Sequence, residues 1–457
     1  MLPLVPAPRH LTRVADAPGA PVAGDIVVEL DPAIGAECYE LTTAADTVLV
    51  RAGDDAGVLR ARATLAQLAL AADDGRYPAV RIVDGPRFAY RGFMLDVARH
   101  FHPPRTICEI LDLMAELKLN HLHLHLSDDQ GWRLAIDGRP ELTGIGASTQ
   151  CQGGAGPDGG GYLTREDYRR IQDHAASLAI TVVPEIDVPG HTNAVLVSYP
   201  ELAVDGVTPV PYEGAEVGFS QLDAANEETY RFWTEVVSQL AADTDGPYLH
   251  LGGDEALEMT ERDFLTFLER AFAIVAATGK TPVAWHEAGR SDAIPAGAVG
   301  QYWNFVRPRT ASEDRFGIDH ADCAGGFPRQ GGRLILSPSD AVYLDHREAE
   351  GLPGVAWAAG PTPLRASYEW EPSAVLPDVP DDAILGVEAA LWTEYLGTRE
   401  ELLELMLPRL AAVAELAWSP APHTPRRIED IAPRLAELGR DWQRRGLPFT
   451  RSTEVDW

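Results

Sequence analysis

From about residue 87 onward, short apolar runs alternate with stretches of helical periodicity. The runs are Ala89–Asp96, His121–Leu126, Ile180–Ile186, Tyr248–Leu251, Pro282–Trp285, Gly300–Trp303, Leu334–Leu336 and Ile384–Leu391, and each reads as a strand. Between them, Leu163–Leu178 and Phe264–Thr278 carry helical patterns. Thr164 and Asp167 form a capping-box signature, and a later helix opens at Thr398 with Glu401 three residues on. Eight strands separated by helices or long loops predict an α/β fold, a (β/α)8 TIM barrel.

The first 85 residues read differently. Strand-like runs Asp25–Leu30, Cys38–Thr42 and Thr47–Arg51 precede a helical stretch, Asp55–Ala71, where Val58, Leu59, Ala61, Leu65 and Leu68 recur at helical spacing. Asp73-Asp74-Gly75 ends that helix and Pro86 marks a boundary. The pattern predicts a small α+β domain over residues 1–85. Residues 86–457 then form the barrel with a C-terminal helical extension. The glycine-rich stretch Gly153–Gly161 reads as a flexible loop. It lacks the Lys-Ser/Thr of a phosphate-binding loop, and no strand leads directly into it.

Composition narrows the partners. The 457 residues are 45% hydrophobic and 23% charged, as in a globular protein with a substantial core. The formal charge of −31 comes from 69 acidic and 38 basic residues, which argues against a nucleic acid or an anionic membrane as partner. Cys38, Cys108, Cys151 and Cys323 form no CxxC pair, so neither a zinc site nor a redox pair is expected. No apolar run approaches 18 residues, and the N-terminus lacks the pattern of a signal peptide. A cytoplasmic protein is the expectation.

Candidate chemistry collects where the predicted strands end, which is where a barrel of this kind carries its functional residues. The first run leads into Asp96-Val-Ala-Arg99-His100 and the second into Ser127-Asp128-Asp129-Gln130-Gly131-Trp132. The third leads into Glu185-Ile-Asp187-Val-Pro-Gly-His191, and the fourth, through Gly252-Gly253, into Asp254-Glu255. The fifth and sixth end in Trp285-His286-Glu287 and Gln301-Tyr302-Trp303-Asn304. Tyr343-Leu-Asp345-His346 and Leu391-Trp392-Thr393-Glu394 follow the last two. The Asp254–Glu255 pair is the sharpest signal. Two carboxylates held that close do not both ionise freely, and a carboxylic acid protonated at working pH suits cleavage of a sugar acetal. His121, His123 and His125 alternate and so point the same way on a strand, as metal ligands do. No second cluster of acids or thiols completes such a site, and histidines lining the barrel and hydrogen-bonded to neighbours are the expectation.

With these motifs in order, the chain resembles the β-N-acetylhexosaminidases of glycoside hydrolase family 20. The segments that carry the resemblance are Asp96–His100, His125–Trp132, Asp187–His191, His250–Glu255, Tyr343–Asp345 and Trp392–Glu394. It implies an exo-acting, retaining hydrolase of terminal β-linked GlcNAc or GalNAc that needs no cofactor and no metal. In that family the substrate's own 2-acetamido oxygen attacks the anomeric carbon. The resemblance makes Glu255 the general acid and then the base, and Asp254 the acceptor for the acetamido N–H. Tyr343 becomes the donor that aims the acetamido oxygen. Trp285, Trp303 and Trp392 resemble the aromatic box around the acetamido methyl and sugar face. The other seven tryptophans, Trp418 and Trp442 among them, are read as packing residues. Arg99, Asp345 and Glu394 are assigned to the O3, O4 and O6 hydroxyls. Asp128 and His191 are assigned to substrate binding and Asp187 and His250 to polar support behind the pocket, with an Asp–His–Glu relay ending on Glu255. Alternation implies that Asp128 and Asp129 diverge, and the resemblance favours Asp128 as the inward one.

Two rival readings accompany this one. A disaccharide-releasing enzyme of the lacto-N-biosidase kind needs a pocket open beyond the first sugar. A non-catalytic N-acetylhexosamine-binding protein would not need the Asp254–Glu255 pair and Tyr343. The implied partners are N-acetylhexosamine-terminated oligosaccharides or glycoconjugates. Gluco or galacto preference, the natural substrate and the oligomeric state are not legible in spacing.

Overall fold

In the computed structural model the structure describes every residue except 1, 16, 45, 153–160, 205 and 359. Most of the glycine-rich run read above as a loop therefore lies outside the described residues.

The N-terminal unit is a five-stranded sheet with one helix. The spatial strand order is His10–Arg13, Val80–Asp84, Tyr39–Thr42, Val48–Ala52 and Ile26–Leu30. All neighbours are antiparallel except the last two, which run parallel. Tyr39, Leu41, Val48, Val50, Val80 and Ile82 are buried at alternate positions, so the central strands turn one face inward. Helix Asp55–Ala69 covers that face with Ala61, Leu65 and Leu68, and Asp54 caps it by accepting from the Gly57 N–H at 2.7 Å. The strands His10–Arg13 and Val80–Asp84 were not among the runs read from the sequence. The first is exposed throughout, and the second lies between Pro78 and Pro86.

Eight parallel strands close into a barrel. In chain order they are Tyr90–Asp96, His121–His125, Thr181–Glu185, Tyr248–His250, Thr281–Trp285, Val299–Tyr302, Arg333–Leu336 and Ile384–Leu391. The first and eighth pair in register from Tyr90–Gly386 to Leu95–Leu391, which shuts the ring. Helices Pro104–Glu116, Arg165–Ser177, Glu227–Asp243, Glu261–Ala277, His320–Arg329 and Arg409–Trp418 lie outside it. The capping boxes at Thr164/Asp167 and Thr398/Glu401 are both formed. After the fifth strand the expected helix is reduced to a 3-10 turn, His286–Arg290.

The barrel interior is layered. Tyr90, Val183, Val283, Val299, Ile335 and Leu385 fill the lower end. Above them His123, Glu185, Gln301 and Glu388 form a fully buried polar layer. Met94, Tyr343, Trp303 and Trp392 pack at the upper end. His121 stacks on Tyr90 at 4.0 Å, while His123 and His125 each face carboxylates with both ring nitrogens.

The two units are joined by a buried charge cluster. Asp84 accepts from the Tyr39 hydroxyl at 2.7 Å, Lys118 Nζ at 2.9 Å and Trp418 Nε1 at 3.0 Å. Lys118 lies over the Trp418 ring at 4.7 Å. Removing one partner of such a pair strands the other charge out of water. Asp84→Ala is expected to cost about 3–5 kcal/mol of stability, read as a lowered urea midpoint. A midpoint unchanged from wild type would show that Lys118 finds another partner.

Candidate active site

The upper rim of the barrel encloses a cavity of about 530 Å³, lined among others by Arg99, His191, Asp254, Glu255, Trp303, Tyr343, Trp392 and Glu394. Each comes from the C-terminal end of a strand or the loop after it, so six of the eight motifs of the sequence reach one hollow. Those of the second and fifth strands, Trp285 included, are not among its lining residues.

Asp254 and Glu255 follow the short strand Tyr248–His250 through Gly252 and Gly253, both at positive φ (70° and 96°). A Cβ on Gly252 would stand 1.7 Å from Asp187 Oδ1, so the turn exists only with glycine there. Gly253 N–H donates to that same Asp187 oxygen at 3.2 Å. Glu255 (φ 43°) and His191 (φ 55°) also occupy the left-handed region, where a residue with a side chain carries strain of about 1–3 kcal/mol.

Asp254 is nearly buried, and its Oδ1 has no hydrogen-bond partner among the described residues. Burial pushes its carboxyl up to about 6; His191 opposes this and the neighbouring Glu255 adds to it. Asp187, fully buried beside it, is pushed well above the carboxylate range by burial and then by the Asp254 charge. The two acids thus titrate as a pair that resists carrying two charges, and Asp254 Oδ1 is left as an acceptor beside the cavity.

His191 lies between the acids. Its Nδ1 is 3.2 Å from Asp128 Oδ1, and its Nε2 is 3.5 Å from Glu255 Oε2 and 3.8 Å from Asp254 Oδ2. Asp128 also receives Arg99 Nη2 and His125 Nε2, each at 2.7 Å. Asp128 and Asp129 do diverge: Asp129 accepts from the Asn193 N–H at 2.9 Å and from Ser220 Oγ, which anchors the next loop. Asp128 was grouped with the substrate-binding residues, but it sits behind Arg99 and His191, whose side chains cover it from the cavity.

Arg99 stacks over Trp392 at 4.8 Å, and its Nε has no hydrogen-bond partner among the described residues. Both carboxylate oxygens of Asp345 are likewise buried without one. Burial, with Glu394 nearby, pushes Asp345 well above its usual range. Burial does the same for the Tyr343 hydroxyl, which stays a donor. Tyr343 and Trp392 stand 6.0 Å apart, Trp392 and Trp285 also 6.0 Å. Trp303 donates to both Glu287 oxygens at 2.9 and 3.0 Å, which sets its plane. His250 lies lower, stacked on His123 at 4.7 Å and edge-on to Trp285 at 5.0 Å, and does not line the cavity.

Three features of the site were missed in the sequence reading. Trp357, read with the packing tryptophans, is 53% exposed and stands on the cavity wall between Trp303 and Tyr343. It lies in the long connection after the seventh strand, where no periodic pattern marks it. Glu287 was quoted in its motif without a role. Glu185 was too, although it accepts from Trp285 Nε1 at 2.8 Å.

The imidazole and carboxylate groups in this region approach closely enough to suggest a cation site, for example His123, Glu185 and His250. The geometry favours protons instead. A ring nitrogen 2.5–3.0 Å from a carboxylate oxygen, as in His123 and His125, needs a proton between them and has no lone pair to offer a metal.

The chain belongs to glycosyl hydrolase family 20. The model of that family's catalytic domain matches residues 88–421, and the model of its domain 2 matches residues 5–85. It is therefore a glycoside hydrolase. A beta-N-acetylhexosaminidase of Cellulomonas fimi is 39% identical over 444 residues, covering 96% of this chain and 85% of the relative. A solved family 20 beta-N-acetylglucosaminidase superposes with a TM-score of 0.90 at 44% identity, covering 100% of both chains. A mutant Streptomyces plicatus beta-hexosaminidase in complex with product (GlcNAc) superposes with a TM-score of 0.91 at 37% identity, covering 100% of this chain and 98% of that one.

The Gly252 turn gives a direct test of the site's backbone. Gly252→Ala should displace Asp187 and Asp254 by about an ångström and lower kcat/KM roughly a hundredfold, with the far-UV circular dichroism unchanged. Activity within twofold of wild type would show that the turn tolerates a Cβ.

Proposed function

We propose that this enzyme removes terminal β-linked N-acetylhexosamine residues from the non-reducing end of glycans, with Asp254, Glu255 and Tyr343 as the reacting machinery. The observation that carries the reading is Asp254 Oδ1, an acceptor kept buried and unpartnered beside Glu255 in an aromatic-walled cavity. A buried acceptor without a donor costs free energy, which an amide N–H on the substrate recovers.

In this scheme the 2-acetamido oxygen forms a bond to C1 as the C1–O bond to the leaving group breaks. Glu255 delivers its proton to the departing oxygen. The positive charge moves onto an oxazolinium ring, and the Asp254 carboxylate offsets it through the N–H. Tyr343 donates to the acetamido oxygen and aims it. Glu255, now a carboxylate, takes a proton from water, whose oxygen attacks C1 and reopens the ring with the β configuration retained.

Trp285, Trp303 and Trp392 enclose the acetamido methyl and support the sugar face. Arg99, Asp345 and Glu394 take the distal hydroxyls. The buried, unpartnered oxygens of Asp345 support a pocket fitted to one sugar, and so favour exo action over release of a disaccharide.

Glu255→Gln should lower kcat on natural glycosides by about 10²–10⁴ and leave sugar binding intact, measured by turnover and by titration with GlcNAc. Near-normal turnover in that variant would remove Glu255 from the mechanism.

Asp254 must be ionised to accept the N–H, and its carboxyl is pushed up to about 6. As pH falls through that value the acceptor is lost, so kcat/KM should fall on the acid side. Asp254→Asn should lose this acid limb together with about 10²–10³ in rate. An acid limb identical in wild type and variant would assign it to another group.

A further inference from the structure

Beneath the cavity lies a set of titratable side chains that this scheme leaves idle. Glu388 Oε1 is 2.9 Å from His123 Nδ1, and His123 Nε2 is 3.0 Å from Glu185 Oε2. The same Glu185 oxygen is 2.5 Å from His125 Nδ1, and His125 Nε2 is 2.7 Å from Asp128 Oδ2. Asp128 then leads through His191 to Glu255. Acids and imidazoles alternate at hydrogen-bond distance from the barrel centre as far as His191, whose Nε2 then faces Glu255 Oε2 at 3.5 Å without a hydrogen bond.

Geometry sets the proton count. A neutral imidazole has one N–H and one lone pair, and a lone pair facing a carboxylate oxygen at 3 Å is repulsive. His123 and His125 face carboxylates through both nitrogens and are fully buried. Each therefore needs two protons. Burial would discharge both rings, but Glu388 and Glu185 hold His123 up to about 9. Glu185 and Asp128 hold His125 well above the ordinary imidazole range. Against its own burial, the surrounding histidines keep Glu185 ionised. At His250 burial lowers the proton affinity and Glu185 opposes this, with Nδ1 standing 3.0 Å from Glu185 Oε1 and 3.0 Å from the Gly252 nitrogen.

We propose that Glu185 is a positioning residue for the hydrolysis: it keeps His125 doubly protonated, and His125 thereby fixes Asp128, His191 and the proton of Glu255. The inference rests on Glu255 being the donor and extends the relay to a side chain that touches no substrate. The same carboxylate orients Trp285 through the indole N–H.

The charged groups around each member set the sign of the test. His125 faces Glu185, Asp128 and, at 3.4 Å, Arg99 Nη1, with Trp392 edge-on at 5.0 Å. Glu185 faces His123, His125, His250 and Trp285, with Asp187 and Asp254 nearby. Glu255 faces His191, Asp254 and Glu287. Arg99 keeps its charge throughout.

Glu185→Gln removes an anion. If His125 kept its charge, the site would become more positive and the alkaline limb of kcat/KM would move to lower pH. In the proposed relay the glutamine amide donates to His125 Nδ1 and the ring becomes neutral. The lost cation is one link nearer to Glu255 than the lost anion, so the limb moves up, by about 0.5 pH unit.

The experiment is the pH profile of wild type and Glu185→Gln on an aryl N-acetylglucosaminide. An upward shift supports the relay, and an unmoved or lowered limb overturns it. Ring-¹⁵N NMR of histidine-labelled wild type gives a second readout, with His125 assigned by its loss in His125→Gln. Two protonated nitrogens at pH 7 support the proposal, and a neutral tautomer overturns it even where Glu185→Gln does not fold. Loss of the alkaline limb in Glu255→Gln identifies the donor independently, so a wrong donor and a wrong relay are told apart.

Discussion

Charge can be held inside this barrel because the acids at its centre face imidazoles or a guanidinium. An ion moved out of water costs several kcal/mol even after relaxation. Glu388, Glu185 and Asp128 are all fully buried, and each is met at hydrogen-bond distance by at least one basic side chain. Compensation is withheld at the cavity. Asp254 Oδ1, both Asp345 oxygens, Arg99 Nε and His191 Nε2 are all buried and, among the described residues, without hydrogen-bond partners. The site is the part of the network left open, and a polyhydroxylated sugar with an amide is a ligand that can close it.

The same constraint reaches the backbone. Asp187 occupies the space a Cβ at Gly252 would need, so the acid and the glycine are two halves of one arrangement. His191 and Glu255 carry left-handed backbones that bring Nε2 and Oε2 to 3.5 Å. Strain of this kind persists only where the surroundings over-determine it. Here the surroundings are the paired strands Thr181–Glu185 and Tyr248–His250, buried at the ends from which the two residues follow.

Much of this was legible in the chain. The eight apolar runs and the polar clusters that end them reveal a barrel and its functional rim, because burial on both faces forces continuous apolar stretches and loops carry what remains. Capping residues such as Thr164 and Thr398 locate helix starts through local hydrogen bonds. What escaped is non-local. Whether Asp128 lines the cavity or stands behind Arg99 depends on which neighbour reaches over it. Trp357 reaches the wall through a long irregular connection whose path no periodicity encodes. Glu388 did carry a signal: an acid in the middle of Ile384–Leu391 must meet buried donors. Tyr90, His123 and Gln301 supply them, and all three lie on other strands.

The small N-terminal unit contributes none of the residues assigned to the site, yet it bears on the barrel where closure matters most. Its Asp84 holds Trp418, the last residue of helix Arg409–Trp418, which packs against the first and eighth strands. Those strands meet at the seam of the barrel, and at the top of that seam Asp96 Oδ2 accepts from the Thr393 N–H at 3.1 Å. Thr393 lies between Trp392 and Glu394, and Asp96 Oδ1 accepts from the Arg99 N–H at 3.1 Å. A shift of the two strands against each other would therefore separate Arg99 from Trp392 and Glu394. The bracing unit and the sugar-facing residues thus sit at opposite ends of one pair of strands, which gives a domain without catalytic groups a physical reason to stay attached.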